Sequence, residues 1–273
     1  MSIEGDAAVK ALPRARGEAA IKLKSVDQTT ALDDLRMSGC LKALFPRPSN
    51  RLDTILVNTS GGLTGGDQLS VSVSLGPDTR FCLTTQAAER VYRAQTGSAS
   101  VRSEVTIAAG ASLFWLPQEL ILFDGCALER HFHGALDRDA RLLMVEPIVF
   151  GRKLMGERLR QIRFRDHVSI DRDGKPLYRD VIDLSASIAD RLNARAGGAG
   201  AGAIATVCYA APDAESWLER SREALGKTGG ASLVRPDLLV ARCVAPDSLV
   251  LRRSLMALLD QMTGNTLPKS WRM

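Results

Sequence analysis

From Gln68 to Leu75 polar and apolar residues alternate without a break, with Leu69, Val71, Val73 and Leu75 on one face and Gln68, Ser70, Ser72 and Ser74 on the other. A period of two marks a strand with one buried side. Gly76-Pro77-Asp78 supplies turn chemistry where the alternation stops. Similar runs predict strands over 54–58, 67–75, 81–85, 101–107, 128–132, 142–150 and 168–170, and again over 204–209 and 238–244. Asp171-Arg-Asp-Gly174 reads as a hairpin turn, because Asp-Gly accepts positive φ. Short strands separated by turn signals point to stacked sheets rather than alternating β-α-β units. Helical spacing comes late. Asp213 is placed to cap a helix carrying Ala214, Trp217, Leu218, Ala224 and Leu225 and stopped by Gly226. Asp247 opens a second, with Leu251, Leu255, Leu258, Leu259 and Met262 on one face. Residues 1–17 read as a flexible leader, and 18–273 as one β-rich domain with a Gly/Ala-rich loop at 196–203. No internal repeat stands out. The fold expected is mainly β, with two α-helices near the C-terminus.

Composition narrows the class. At 273 residues the chain can bury a core without disulfide or metal staples. Its 36 basic and 31 acidic residues give a formal charge of +5, and the bases are scattered. The densest set, Arg158, Arg160, Arg163 and Arg165, alternates with Leu159, Ile162 and Phe164, which suits a strand face or an acidic protein partner better than nucleic acid. Five separated cysteines without a Cys-x-x-Cys fit reduced, buried thiols of a cytoplasmic protein. No secretory signal and no membrane-length apolar run is present.

Candidate chemistry is sparse. The turn Asn58-Thr-Ser-Gly-Gly-Leu-Thr-Gly-Gly-Asp67 places Gly61, Gly62, Gly65 and Gly66 between two predicted strands. A phosphate loop needs a helix after it, and an alternating strand follows, so the turn reads as a tight hairpin steadied by Asp67. Gly226-Lys227-Thr228 lacks both the upstream glycine and the preceding strand of such a loop. His131 and His133, two apart on a strand, share a face and could chelate an ion with Cys126 or Asp124. That set is the basis of an alternative reading as a metal-dependent hydrolase. A plain β-sandwich binding module is the other alternative. No nucleophile elbow is present. Glu89, Glu119, Asp124, Glu146 and Glu157 are the acids in suggestive places. A carboxylate inside an apolar strand, as at Glu146, is costly unless paired or hydrated.

Four segments carry a resemblance. The glycine turn, Thr84-Thr-Gln-Ala-Ala-Glu-Arg-Val-Tyr-Arg93, Leu113-Phe-Trp-Leu-Pro-Gln-Glu-Leu-Ile-Leu-Phe-Asp-Gly125, and Gly151-Arg152 with Gly156-Glu157 resemble, in order, the motifs of the UreD (UreH) family of urease accessory proteins. They span about 50–160, with a weaker match at Leu267-Pro268 and Trp271. The resemblance implies coiled, β-helix-like stacked sheets, no catalysis, and a chaperone that binds urease apoprotein and UreF, and UreG through UreF. It implies transient nickel and no permanent cofactor. A polar tunnel for the ion would be lined by Asp67, Thr84, Thr85, Gln86, Glu119, Asp124, Glu146 and Glu157. Tyr92, Arg93, Trp115 and Arg152 would lie on the partner surface. Phe114 stands where the family commonly has Glu, Glu89 where Lys or Thr is common, and the part before Asn50 matches poorly.

Overall fold

The computed structural model describes residues 13–46, 51–152, 155–186, 188–195 and 198–272. After an antiparallel pair, β1 (Arg16–Val26) and β2 (Thr29–Gly39), and an edge strand β3 (Leu41–Leu44), the chain winds in coils. The first coil runs from β4 (Leu52–Asn58) to β5 (Gln68–Leu75). The second is β6 (Arg80–Thr85), β7 (Glu89–Val91) and β8 (Ala99–Ile107), and the third β9 (Ser112–Leu116), β10 (Leu120–Leu122) and β11 (Ala127–Leu136). The fourth joins β12 (Arg141–Phe150) to β13 (Ile162–Arg172), and a hairpin leads into β14 (Lys175–Ala186). The closing layer contains α1 (Ala189–Asn193), β15 (Ala203–Ala210), α2 (Leu218–Leu225), β16 (Gly229–Arg235), β17 (Leu238–Ala245) and α3 (Ser248–Met262).

Each coil contributes one strand to each of two sheets. One has the order β14-β13-β11-β8-β5-β1-β2 and the other β16-β17-β15-β12-β9-β6-β4-β3. Because the chain always turns the same way, β1, β5, β8, β11 and β13 are mutually parallel, as are β4, β6, β9 and β12. A narrow third side forms at the corner, where Leu63, β7, β10 and β12 pair in parallel. The coils recur at about thirty residues, the scale of stacked repeat units, although no sequence repeat announces them. What repeats is the path of the backbone.

Apolar side chains fill two layers. Between the sheets lie Ile21, Val73, Phe81, Leu113, Leu128, Leu142 and Phe164 with their neighbours. A second cluster lies outside the ten-stranded sheet, where Leu143, Val145 and Val207 meet Leu251, Leu255, Leu258 and Leu259 of α3. Both faces of β12 are therefore buried, which explains its nearly continuous apolar run. Burial of each such leucine contributes about 1.5–3 kcal/mol, so packing rather than propensity holds α3 in place.

Every strand predicted from the alternation occurs, most of them longer at their ends. Asp173 and Gly174 take φ of 49° and 70° in the β13–β14 hairpin, as their residue types suggest. Asp247 caps α3 by accepting the Val250 N–H at 2.9 Å. Asp213 makes no such cap. Its carboxylate accepts from Arg141 and Tyr209 instead, and the segment starts as a 3₁₀ turn before α2. The short α1 is an element that periodicity misses. Of the expected leader, residues 1–12 lie outside the described residues, while Arg16 and Gly17 already belong to β1. Ala196 and Gly197 of the Gly/Ala-rich loop also lie outside them, and Ala203 opens β15.

The largest correction concerns residues 58–67. They are not a hairpin, because β4 and β5 belong to different sheets. They form the first corner, and the corner of the second coil presses on them. A Cβ on Gly62 would lie 2.4 Å from the Tyr92 ring, and one on Gly65 would lie 2.2 Å from the Thr96 carbonyl oxygen. The glycines are required by this close approach of backbones. Gly61, at φ +79°, faces open space. Gly61→Ala is therefore expected to cost only left-handed strain, about 1–2 kcal/mol. Gly65, whose φ is not left-handed, meets backbone instead, so Gly65→Ala must push the Thr96 carbonyl away and should unfold at clearly lower urea. Equal midpoints for the two variants would contradict this account.

Candidate functional site

The four motif segments, far apart in sequence, are the corners of successive coils and stack along one edge. Backbone bonds clamp them. Leu63 N–H donates to Arg90 O at 2.7 Å, Phe123 N–H to Val91 O at 3.1 Å, and Gly151 N–H to Leu122 O at 2.8 Å. Side chains reinforce this. Tyr92 packs edge-on against Phe123 with centroids 5.3 Å apart, and Arg152 lies over the Phe123 ring at 4.5 Å. Arg93 donates to Asp124 at 2.6 Å, and Arg152 donates to Glu157 at 3.0 Å. Burial works against ionising Asp124 and Glu157. Backbone N–H groups and their arginines nonetheless hold both carboxyls below the usual range. Met155 is exposed beside them.

Behind the corner a cavity of about 300 Å³ runs between the sheets. Its mouth is formed by Asn58, Gly61, Gln86, Ala88 and Glu89, and its walls are largely apolar, with Leu56, Val71, Leu83 and Phe132 among them. Glu89 accepts from the Asn58 amide at 3.0 Å, and burial raises its pKa. Thr85 bridges two corners by accepting from Gln118 N–H at 2.9 Å. At the inner end Arg130, Glu146 and Asp166 form an ionic cluster. The register explains it, since Arg130 and Asp166 are direct neighbours on β11 and β13 and both face inward, while Glu146 comes across from β12. Arg130 donates to Asp166 at 2.9 and 2.5 Å and contacts Glu146 at 2.6 Å. Trp115 Nε1–H donates to the second Glu146 oxygen at 3.1 Å. Burial pushes the Glu146 carboxyl up to about 7, opposed by Arg130 and reinforced by Asp166.

Of the eight acids and polar residues expected along a tunnel, Thr85, Gln86 and Glu146 line this cavity. The other five do not. Asp67 fastens the first corner, accepting Ala15 N–H at 2.8 Å and Thr64 N–H at 2.7 Å. Thr84 faces the closing layer, 3.3 Å from the Ser270 hydroxyl. Glu119 forms a two-point pair with Arg252 of α3 at 3.0 and 2.7 Å. Asp124 and Glu157 are taken up by the corner. Tyr92, Arg93 and Arg152 come together on the exposed edge, but Trp115 is only 6% exposed. Its inward phase on β9 makes it a cavity wall.

The suspected metal donors do not converge. Cys126 is buried in the inner cluster, and burial pushes its thiol up to about 12. His131 and His133 share the outer face, yet His131 stacks on His167 at 4.8 Å because the two are register partners. His133 is within 3.0 Å of the Ser169 hydroxyl. No group of three His, Cys, Asp or Glu side chains among the described residues is placed to hold an ion. The geometry gives the hydrolase alternative no support.

Sequence reasoning missed Arg130 and Asp166. Their signal was present, since each sits at an inward position of an alternating strand, between Leu128 and Phe132 and between Phe164 and Val168. Asn58, Gln118 and Arg252 act through contacts that no local pattern announces.

Comparison with known proteins agrees with the stacked motifs. The family model described as UreD urease accessory protein matches residues 15–272. The chain is 43% identical to the urease accessory protein UreD of Roseobacter denitrificans over 262 residues, 96% of either chain. It is 46% identical to that of Ruegeria pomeroyi over 250 residues, covering 91% of this chain and 97% of the relative. It is 39% identical to that of Rhizobium rhizogenes over 261 residues, covering 94% and 95%.

Glu146 generates a pH prediction. Its pKa is raised on folding, so between the ordinary carboxylate range and about 7 the folded chain binds more protons than the unfolded one. Its contribution to stability therefore falls as pH rises through that window. Glu146→Gln should flatten this part of the stability–pH curve and raise stability relative to the parent at pH 8. Urea unfolding from pH 5 to pH 8 measures it, and an unchanged slope would count against the assignment.

Proposed function

The chain belongs to the family of UreD urease accessory proteins, and from that membership we propose that it is a scaffold through which urease receives nickel. It binds urease apoprotein and UreF, with UreG recruited through UreF, and works in the cytoplasm without catalysing a reaction. No helix among the described residues is long and apolar enough to cross a membrane. The observation that carries the reading is the cavity that opens between the stacked corners and ends on buried carboxylates. Its polar donors are mainly oxygens: Asn58, Thr85, Gln86, Glu89 and Glu146. Scattered oxygen donors bind nickel less firmly than a closed histidine or thiolate set, which favours passage over storage. Nickel is thus transient cargo. The exposed Tyr92, Arg93 and Arg152, with Met155 beside them, offer a partner an aromatic and cationic edge continuous with the cavity mouth.

Ala88 lines the mouth and is half-buried. Ala88→Trp is expected to leave urease and UreF co-purifying with the chain while urease nickel falls several-fold, read by metal analysis after co-expression. Normal nickel in an assembled Ala88→Trp complex would rule out the cavity as the route. A parent chain that captures neither urease nor UreF would overturn the scaffold itself.

A further inference from the structure

The cavity does not run through unobstructed. Beyond its inner end lies a second void of about 10 Å³, the size of a single water, lined by Met144, Glu146, Asp166, Val168, Asp180, Ile182 and Thr206. Glu146 belongs to both spaces, while Arg130 lines the first and Asp166 the second. Past the second, Asp180 pairs with the half-exposed Arg242 at 2.6 Å. The Arg130 guanidinium therefore stands in the partition between two compartments that share a carboxylate.

We propose that Arg130 is a charge-selective gate, a tethered cation that occupies the Glu146–Asp166 carboxylate pair until a divalent ion replaces it. The proposal rests on the reading of the cavity as a nickel route and adds the step that controls it. Two buried carboxylates facing each other cannot remain ionised without a cation between them. For both to stay ionised the guanidinium or a metal ion must be present, so one leaves as the other arrives. An anion or a neutral molecule offers no exchange and finds the way closed. The fit to the guanidinium is incomplete at one atom. Arg130 reaches Glu146 Oε2 at 2.6 Å, yet that buried oxygen accepts no well-directed hydrogen bond. A metal ion, which imposes no donor direction of that kind, can use the oxygen fully.

The test uses the purified full chain and Ni²⁺ alone. Arg130→Gln should retain one Ni²⁺ more per chain after desalting than the Arg130→Gln/Glu146→Gln/Asp166→Asn triple variant, whose surface histidines set the background. Its Tm should rise on adding Ni²⁺, and the parent should show neither effect. A folded Arg130→Gln chain with the same Tm with and without Ni²⁺, and no retention above the triple variant, overturns the gate. Should Arg130→Gln fail to fold even with Ni²⁺, Arg130→Lys decides. The lysine keeps a charge but not the two-point fork. It should bind Ni²⁺ at least tenfold more tightly than the parent, lost with Asp166→Asn, and binding no tighter than the parent's overturns the proposal. These measurements involve no urease. Their failure leaves the nickel route standing, and blockage of the mouth with normal nickel loading would remove the route while leaving the ion exchange at Arg130 measurable.

Discussion

Parallel pairing sets Leu69 beside Val101, Val101 beside Arg130, and Arg130 beside Asp166, one from each successive strand. A residue that faces inward in one coil lies next to inward residues of the coils above and below. A slip of one position would turn every side chain of a strand to the other side. The apolar interior follows from this register, and so do its exceptions. Arg130 meets Asp166 because the ladder puts them together. One step along, on the outer face, the same ladder stacks His131 on His167. It also brings the corners into line, so that Tyr92 lies on Gly62 and Arg93 on Gly125.

Within this interior the charged rung stands out energetically. Leu128 and Phe132 flank Arg130, Met144 and Ile148 flank Glu146, and Phe164 and Val168 flank Asp166, all in the inward phase and all buried except the partly buried Arg130. Apolar residues at the three charged positions would pack just as well and often give a more stable protein. Removing Arg130 alone would instead strand two buried carboxylates, at a typical cost of about 3–5 kcal/mol. A cluster of this kind contributes little net stability. Its presence at the inner end of a cavity is better explained by what it does there than by folding.

Much of the fold was legible in the sequence. Alternation located β5 at Gln68–Leu75, Asp-Gly located the β13–β14 hairpin, and Asp247 with its leucines located α3. These signals are local, each set by a turn or by one face of one element. The coil was not legible, because parallel strands of successive coils pair across whole turns of chain and no repeated residues mark the period. The glycine corner shows the same limit. Gly62 and Gly65 carry the mark of close approach, but Tyr92 and Thr96, which make the approach, lie about thirty residues away in the next coil. Acids divide along this line as well. Glu119, Asp124 and Glu157 looked equivalent to Glu146 by residue type, and only their partners, Arg252, Arg93 and Arg152, separate clamps from cavity lining.

The clamps and the cavity are nonetheless parts of one construction. Gln118 and Glu119 are adjacent in the third corner. Gln118 lines the cavity, while both accept from Arg252 of α3, which also lies over Trp271 and donates to its carbonyl. Asp67 ties the start of β1 to the first corner, and Asp124 with Glu157 ties the third corner to the fourth. Each acid that does not face the cavity thus fixes a segment that does, or the neighbour on which it rests. Loose corners would leave the oxygen donors of the mouth in many arrangements, and a route for an ion needs few. The four motifs are recognisable together for that reason. They are successive layers of a single rim, and its rigidity places Glu89 at the entrance and Glu146 at the end.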